Sequence, residues 1–126
     1  MAKVLGIGGI FFKSPDPQKL CQWYAQWLGF NIASESEPSF VPFSPGNMPA
    51  NGYTVWSAFN STTCYFSPSD KDFMFNLVVD NLDEALEQVR AGGAQEVGDI
   101  QKNEYGRFGW FLDPDGNKVE LWQPPE

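Results

Sequence analysis

Apolar residues recur along this chain with two different periods, and the change from one to the other predicts its elements. From Lys3 to Lys13 the run is nearly continuous: Val4, Leu5, Ile7, Ile10, Phe11 and Phe12, interrupted by Gly6, Gly8 and Gly9. This pattern predicts a strand, with glycines at a bulge or at a close backbone approach. Ser14-Pro15-Asp16-Pro17 then predicts a helix start, with Asp16 as N-cap and Pro17 in the first helical position. Leu20, Tyr24, Trp27 and Leu28 make one helical face, and Gly29 closes the helix. Phe30 to Ala33 reads as a short strand. Residues 34–52 contain Pro38, Pro42, Pro45, Gly46, Pro49 and Gly52, which predict an irregular loop with an edge strand near Phe40 to Phe43. A loop of this length suits a lid or a subunit contact.

The pattern then repeats. Tyr53 to Phe59 predicts a strand, which Cys64 to Phe66 extends after a turn at Asn60-Ser61. Phe73 to Val79 predicts another. Asn81 and Glu84 have the spacing of an N-cap and the third helical position. Leu82, Ala85, Leu86 and Val89 form the apolar face of a helix that ends at Gly92-Gly93. Strands follow at Gln95 to Ile100, Phe108 to Leu112 and Lys118 to Trp122. Asp113-Pro114-Asp115-Gly116-Asn117 turns the chain between the last two. Strand, helix and further strands thus occur twice. The chain reads as one α+β domain over residues 1–126, with one half at about 1–67 and the other at about 71–126.

Composition narrows the chemistry. With 126 residues, 42% hydrophobic and 16% aromatic, the chain has material for a core. Its formal charge of −8 argues against nucleic acid or an anionic membrane as partner. Cys21 and Cys64 form no Cys-x-x-Cys pair and are expected to be free thiols. No segment approaches the roughly 20 apolar residues that span a bilayer, and none has signal-peptide flanks. A cytoplasmic protein is expected. Histidine is absent, which removes Ser-His-Asp and Cys-His nucleophile systems and imidazole metal ligands.

Three stretches, in order, carry a family resemblance. One is Pro15-Asp16-Pro17 through Trp23-Tyr24 to Leu28-Gly29-Phe30. Another is Phe73 to Leu82 leading into Gly92-Gly93-Ala94. The last is Tyr105-Gly106-Arg107-Phe108-Gly109-Trp110 through the Asp113–Asn117 turn to Glu120-Leu121-Trp122. Together they resemble the glyoxalase/bleomycin-resistance/dioxygenase (vicinal oxygen chelate) family. The resemblance implies two βαβββ modules whose curved mixed sheets surround a cleft. It also implies metal-ligand positions at Gly9, near Trp56, at Met74 and at Glu120. Only Glu120 keeps a side chain suited to a hard divalent ion, and a lone carboxylate cannot hold one against water. The expected cofactor list is therefore empty, and so is the metal site. A homodimer is implied too, since related proteins often build their clefts across two chains.

Strand side chains alternate, so residues in phase with these positions are expected to face the cleft. They are Gly9 and Phe11; Thr54, Trp56 and Ala58; Met74, Asn76 and Val78; and Lys118, Glu120 and Trp122. Glu120 is a candidate cleft carboxylate that binds a cation or donor, or acts as a base. Asn76, a lone amide in an apolar strand, either orients a ligand or ties down a neighbour. Arg107 either clamps an anionic ligand or pairs with an acidic side chain, and Tyr105 beside it is a candidate rim residue. Trp56, Trp110 and Trp122 are stacking candidates, whereas Trp23 and Trp27 suit helix packing or a subunit contact. The Asp113–Asn117 carboxylates fit a hairpin turn better than a calcium loop.

The expected function is metal-independent binding of a small molecule in an aromatic-lined cleft. One alternative is an enzyme, a lyase, isomerase or dioxygenase, with Glu120 as base or residual ligand. Another is a non-catalytic dimerisation or interaction module.

Overall fold

The computed structural model describes residues 1–33 and 40–126. The first part of the loop expected at 34–52 thus lies outside the described residues, and its later part carries a single 3-10 turn, Pro45–Asn47. Helix α1 spans Pro17–Leu28. Asp16 caps it by accepting the Lys19 amide, and Gly29 ends it in the left-handed conformation, φ 69°, where a Cβ would be strained. Helix α2 spans Leu82–Ala91, capped by Asn81 through the Glu84 amide. Five strands make one mixed sheet: β1 (Phe75–Val78), β2 (Gln95–Glu96), β3 (Gln101–Asn103), β4 (Gly106–Leu112) and β5 (Lys118–Gln123). The order is β1-β5-β4-β2, with β3 also on β4. β1 runs parallel to β5 and the other pairs are antiparallel.

Register divides the sheet into two faces. Phe75, Val119 and Phe111 lie in one row, and Leu77, Leu121 and Gly109 in the next. Val119, Leu121 and Phe111 join Leu82, Ala85, Leu86 and Val89 of α2 and Leu20 and Tyr24 of α1 in one buried cluster. Gly109 lets α2 approach closely, because a Cβ there would come within 2.9 Å of the Leu86 Cδ1. α1 is pinned by polar contacts as well. Trp23 Nε1 donates to the Gly92 carbonyl (2.9 Å), and the Trp27 carbonyl accepts from Gln88 (2.7 Å). The Tyr24 hydroxyl donates to Asp113 Oδ2 (2.9 Å). Asp113 also accepts the amides of Asp115 and Asn117 and the Asn117 side chain, so the last hairpin is tied to the first helix.

Among the described residues the strands come from the second half of the chain. The strand expected at Lys3 to Lys13 does not join the sheet: Val4, Leu5 and Phe11 are exposed, and the Phe12 ring lies 4.8 Å from that of Phe75 on β1. Tyr53 to Phe59 likewise forms no strand, nor does Phe30 to Ala33, where the Phe30 N–H donates to the Tyr24 carbonyl and the Ala33 N–H to the Phe40 carbonyl. The apolar content of these segments predicts strands, but a strand also needs an edge to pair with. Among the described residues none of these segments pairs with the sheet. The strand expected at Gln95 to Ile100 is only Gln95–Glu96 long (β2); residues 97–100 form no strand, and β3 starts after them at Gln101, both strands pairing with β4. Among the described residues no helix is long and apolar enough to cross a membrane.

Candidate functional site

The sheet face away from the helices carries the second set of rows. Asn76, Glu120 and Trp110 are direct neighbours across β1, β5 and β4, and Val78, Trp122 and Phe108 form the next row. Lys118 precedes Glu120 by two residues and shares its face. Alternation alone therefore brings an amide, a carboxylate, an ammonium and two indoles to one patch.

Glu120 is its centre. Asn76 Nδ2 donates to Glu120 Oε1 at 2.7 Å, and Trp110 Nε1 donates to Oε2 at 2.9 Å. A third donor arrives from outside the sheet, the Tyr65 hydroxyl, at 2.6 Å from Oε2. Glu120 is 9% exposed and Trp110 7%. A buried carboxylate is tolerated when such donors replace water, and three of its roughly four lone-pair directions are taken. Lys118, also buried, donates from Nζ to the Tyr65 carbonyl (2.6 Å) and lies 5.2 Å above the Tyr65 ring and 5.8 Å above that of Trp110. Burial pushes the Lys118 ammonium below its usual range, and the charge of Glu120 opposes that shift. Burial, followed by the hydrogen bond to Glu120 and that carboxylate's charge, pushes the Tyr65 phenol up. Aromatic walls continue the patch: Trp122 stacks on Phe108 (8° between planes), and Tyr53 meets Trp122 edge-on at 5.0 Å.

The other expected site residues lie elsewhere. Arg107 points to the helix side of β4 and forms a two-pronged pair with Asp83 of α2, both contacts 3.0 Å. It takes the acidic-partner role rather than the anion-clamp role, and its odd position beside Phe108 in the alternation is the reason. Tyr105 is exposed at the β3–β4 turn and contributes its carbonyl, which holds Trp122 Nε1 at 2.6 Å. Trp56 is 79% exposed and Phe11 95%, so neither joins the patch within one chain. Met74 is half-buried and stands just ahead of β1. Tyr65 and Tyr53 were not among the expected site residues. Tyr65 lies 55 residues before Glu120 in a turn, and no local spacing signals that contact. Lys118 did carry a signal, its phase with Glu120.

The four positions implied for metal ligands do not fit an ion. Gly9 offers no donor, Trp56 is exposed, Met74 has only a soft thioether, and Glu120 is committed to three hydrogen-bond donors. Among the described residues no three His, Cys, Asp or Glu side chains gather as ligands. A separate open groove of about 630 Å³ lies between α1, Gly92–Gln95 and the Asp113–Gly116 turn. It is lined by Lys19, Trp23 and Leu112 among others and does not reach Glu120.

A family profile described as a glyoxalase-like domain matches residues 9–122. No curated protein matches the chain in sequence. Among solved structures, it is similar to a glyoxylase/bleomycin resistance protein/dioxygenase domain from Frankia sp. EAN1pec, at 16% identity and TM-score 0.61, covering 98% of this chain and 100% of that one. It is also similar to the hypothetical protein SA1046 from S. aureus, at 18% identity and TM-score 0.58, covering 93% and 94%. A further similar structure is TnmS3, an antibiotic binding protein from Streptomyces sp. CB03234, at 21% identity and TM-score 0.54, covering 87% and 88%.

Proposed function

Because the chain belongs to the glyoxalase-like domain family, we propose that it binds a small planar molecule over the Glu120 face of its sheet, without a metal ion, and sequesters or carries it. The observation that carries this reading is Glu120 itself. A carboxylate is costly to bury, and this one sits at the centre of an aromatic surface with each donor placed by the fold. A few converging polar groups among aromatic walls are the usual make-up of a small-molecule site. The likeness in fold to an antibiotic binding protein is consistent with it. The family's metal chemistry is left aside, since the donor set around Glu120 does not suit an ion. Hydroxylated polycyclic aromatics are expected to quench tryptophan fluorescence on titration, through Trp110 and Trp122, and a chelator is expected to leave the affinity unchanged. Loss of binding on chelation, restored by a divalent metal, would refute the metal-free part of the reading.

The same reading includes a second copy of the chain. Val4, Leu5, Phe11, Val55 and Trp56 are exposed, and among the described residues β1 is paired on one edge only. Each copy thus offers an unpaired apolar segment and an open strand edge, and two copies related by a twofold axis satisfy both together. Sedimentation equilibrium is expected to give twice the chain mass of 14.1 kDa. A single-chain mass at all concentrations would remove the second copy from the proposal.

A further inference from the structure

Of the three donors on Glu120, two are fixtures of the sheet. Asn76 and Trp110 are its direct cross-strand neighbours, and their positions follow from register. Tyr65 is different. It belongs to neither sheet nor helix, and its turn is held by the Ser67 amide on the Cys64 carbonyl (3.1 Å). It is 42% exposed, while Trp110 and Glu120 beneath it are buried. Its ring stands edge-on to Trp110, 84° between planes with centroids 6.3 Å apart. Lys118 covers the ring, and its ammonium also holds the Tyr65 carbonyl. A phenol thus lies over the buried carboxylate with its hydroxyl on Glu120, its edge on an indole and its face toward a cation.

We propose that Tyr65 occupies the ligand's place, and that the ligand is a neutral planar aromatic molecule whose hydroxyl takes over the hydrogen bond to Glu120. The inference rests on the binding reading above and names the class of molecule it admits. Each contact of Tyr65 sets one property. Glu120 accepts and does not donate, so the ligand must bring a donor at that point. Lys118 favours an electron-rich ring, since a cation is drawn to a ring's negative face, and its charge offsets that of Glu120, so a cationic ligand gains no net charge attraction over a neutral one. Trp110 and Trp122 favour a flat molecule. Tyr65 leaves as the ligand enters, because the ligand takes the place of its ring and the direction on Glu120 Oε2 that its hydroxyl now fills. The turn that carries Tyr65 then acts as a cover that competes with the ligand.

The test uses three probes that share one ring system: β-naphthol, its methyl ether, and a naphthyl amidinium. Affinities are measured by calorimetry for the wild-type chain, Tyr65→Ala and Tyr65→Phe. Removing the competitor is expected to tighten β-naphthol binding roughly tenfold or more in Tyr65→Ala. The methyl ether, which has no donor, and the cation are expected to show no such gain. The gain is expected to vanish in the Tyr65→Ala/Glu120→Gln double variant. Tyr65→Phe keeps the ring and loses only the hydroxyl, so it is expected to give a smaller gain for β-naphthol, and it keeps the question open to test where the alanine chain does not fold. Equal gains for β-naphthol and its ether, or no gain in either variant, would overturn the role given to Tyr65 while leaving the proposed binding over the Glu120 face intact. Failure of every chain to bind any of the three probes would overturn the binding reading, and this inference with it.

Discussion

Phe111→Ala is expected to lower the free energy of unfolding by about 3–5 kcal/mol, the usual cost of deleting a fully buried aromatic ring. Phe111 has no exposed surface and stands in the row that joins Val119 and Phe75. Trp23 packs on it from α1, with ring centroids 5.8 Å apart. The cavity would therefore open where both helices meet the sheet, and backbone of α1 and β4 cannot close it without breaking the Tyr24–Asp113 tie. Small domains have only about 5–15 kcal/mol in total. Denaturant unfolding is expected to show a much lower midpoint with an unchanged slope. A shift under about 1 kcal/mol would mean that the cluster is not the core that holds the domain.

Glu120→Gln is expected to have the largest effect on binding. The amide nitrogen would face one of three donors now satisfied by carboxylate oxygens, and the negative charge near Lys118 would be gone. Trp110 Nε1 is the buried one of these donors, so stability is expected to fall by roughly 1–3 kcal/mol. Affinity for a hydroxylated aromatic is expected to fall by roughly tenfold to a hundredfold, the worth of a hydrogen bond to a charged acceptor. The Tyr65 phenol reports the same change spectroscopically. Burial first, then the bond to Glu120 and its charge, raise the phenol, so the stability these supply is fully present below the ordinary phenol range near about 10 and is lost as pH rises through the raised value. In an alkaline titration followed by phenolate absorbance, Glu120→Gln is expected to bring one late-ionising tyrosine to lower pH, though not wholly to its ordinary value because burial remains. A titration curve identical to that of the wild-type chain would show that Tyr65 does not rest on Glu120.

Much of this arrangement is legible in the sequence. Asp16-Pro17 and Asn81 announced both helix starts, since short polar caps have a purely local cause. The Asp113–Asn117 turn placed β4 against β5 for the same reason. Alternation put Asn76, Glu120 and Trp122 on one face, because the period of a strand is fixed by backbone geometry. Lys3 to Lys13 and Tyr53 to Phe59 show where that reading stops. Apolar content says that a segment must be covered, but not by what, and these segments find no sheet edge within the described chain. Arg107 was ambiguous between a ligand and an acid; its phase beside Phe108 decides for Asp83, and the sequence alone did not show which acid was near. Tyr65 was invisible for a further reason. Its contacts with Glu120 and Lys118 cross more than fifty residues and come from a turn, where no period constrains the side chain.

The claim on which the account depends is that ligand meets the chain over Glu120, and not in the open groove beside α1. The indole N–H signals of the protein, followed by NMR as β-naphthol is added, test it most directly, because Trp110 and Trp122 lie on the Glu120 face and Trp23 lines the groove. The account predicts that the Trp110 and Trp122 signals move together with the Trp110–Glu120 hydrogen bond while that of Trp23 stays in place. Movement confined to Trp23, with Trp110 and Trp122 unchanged at saturation, would contradict it.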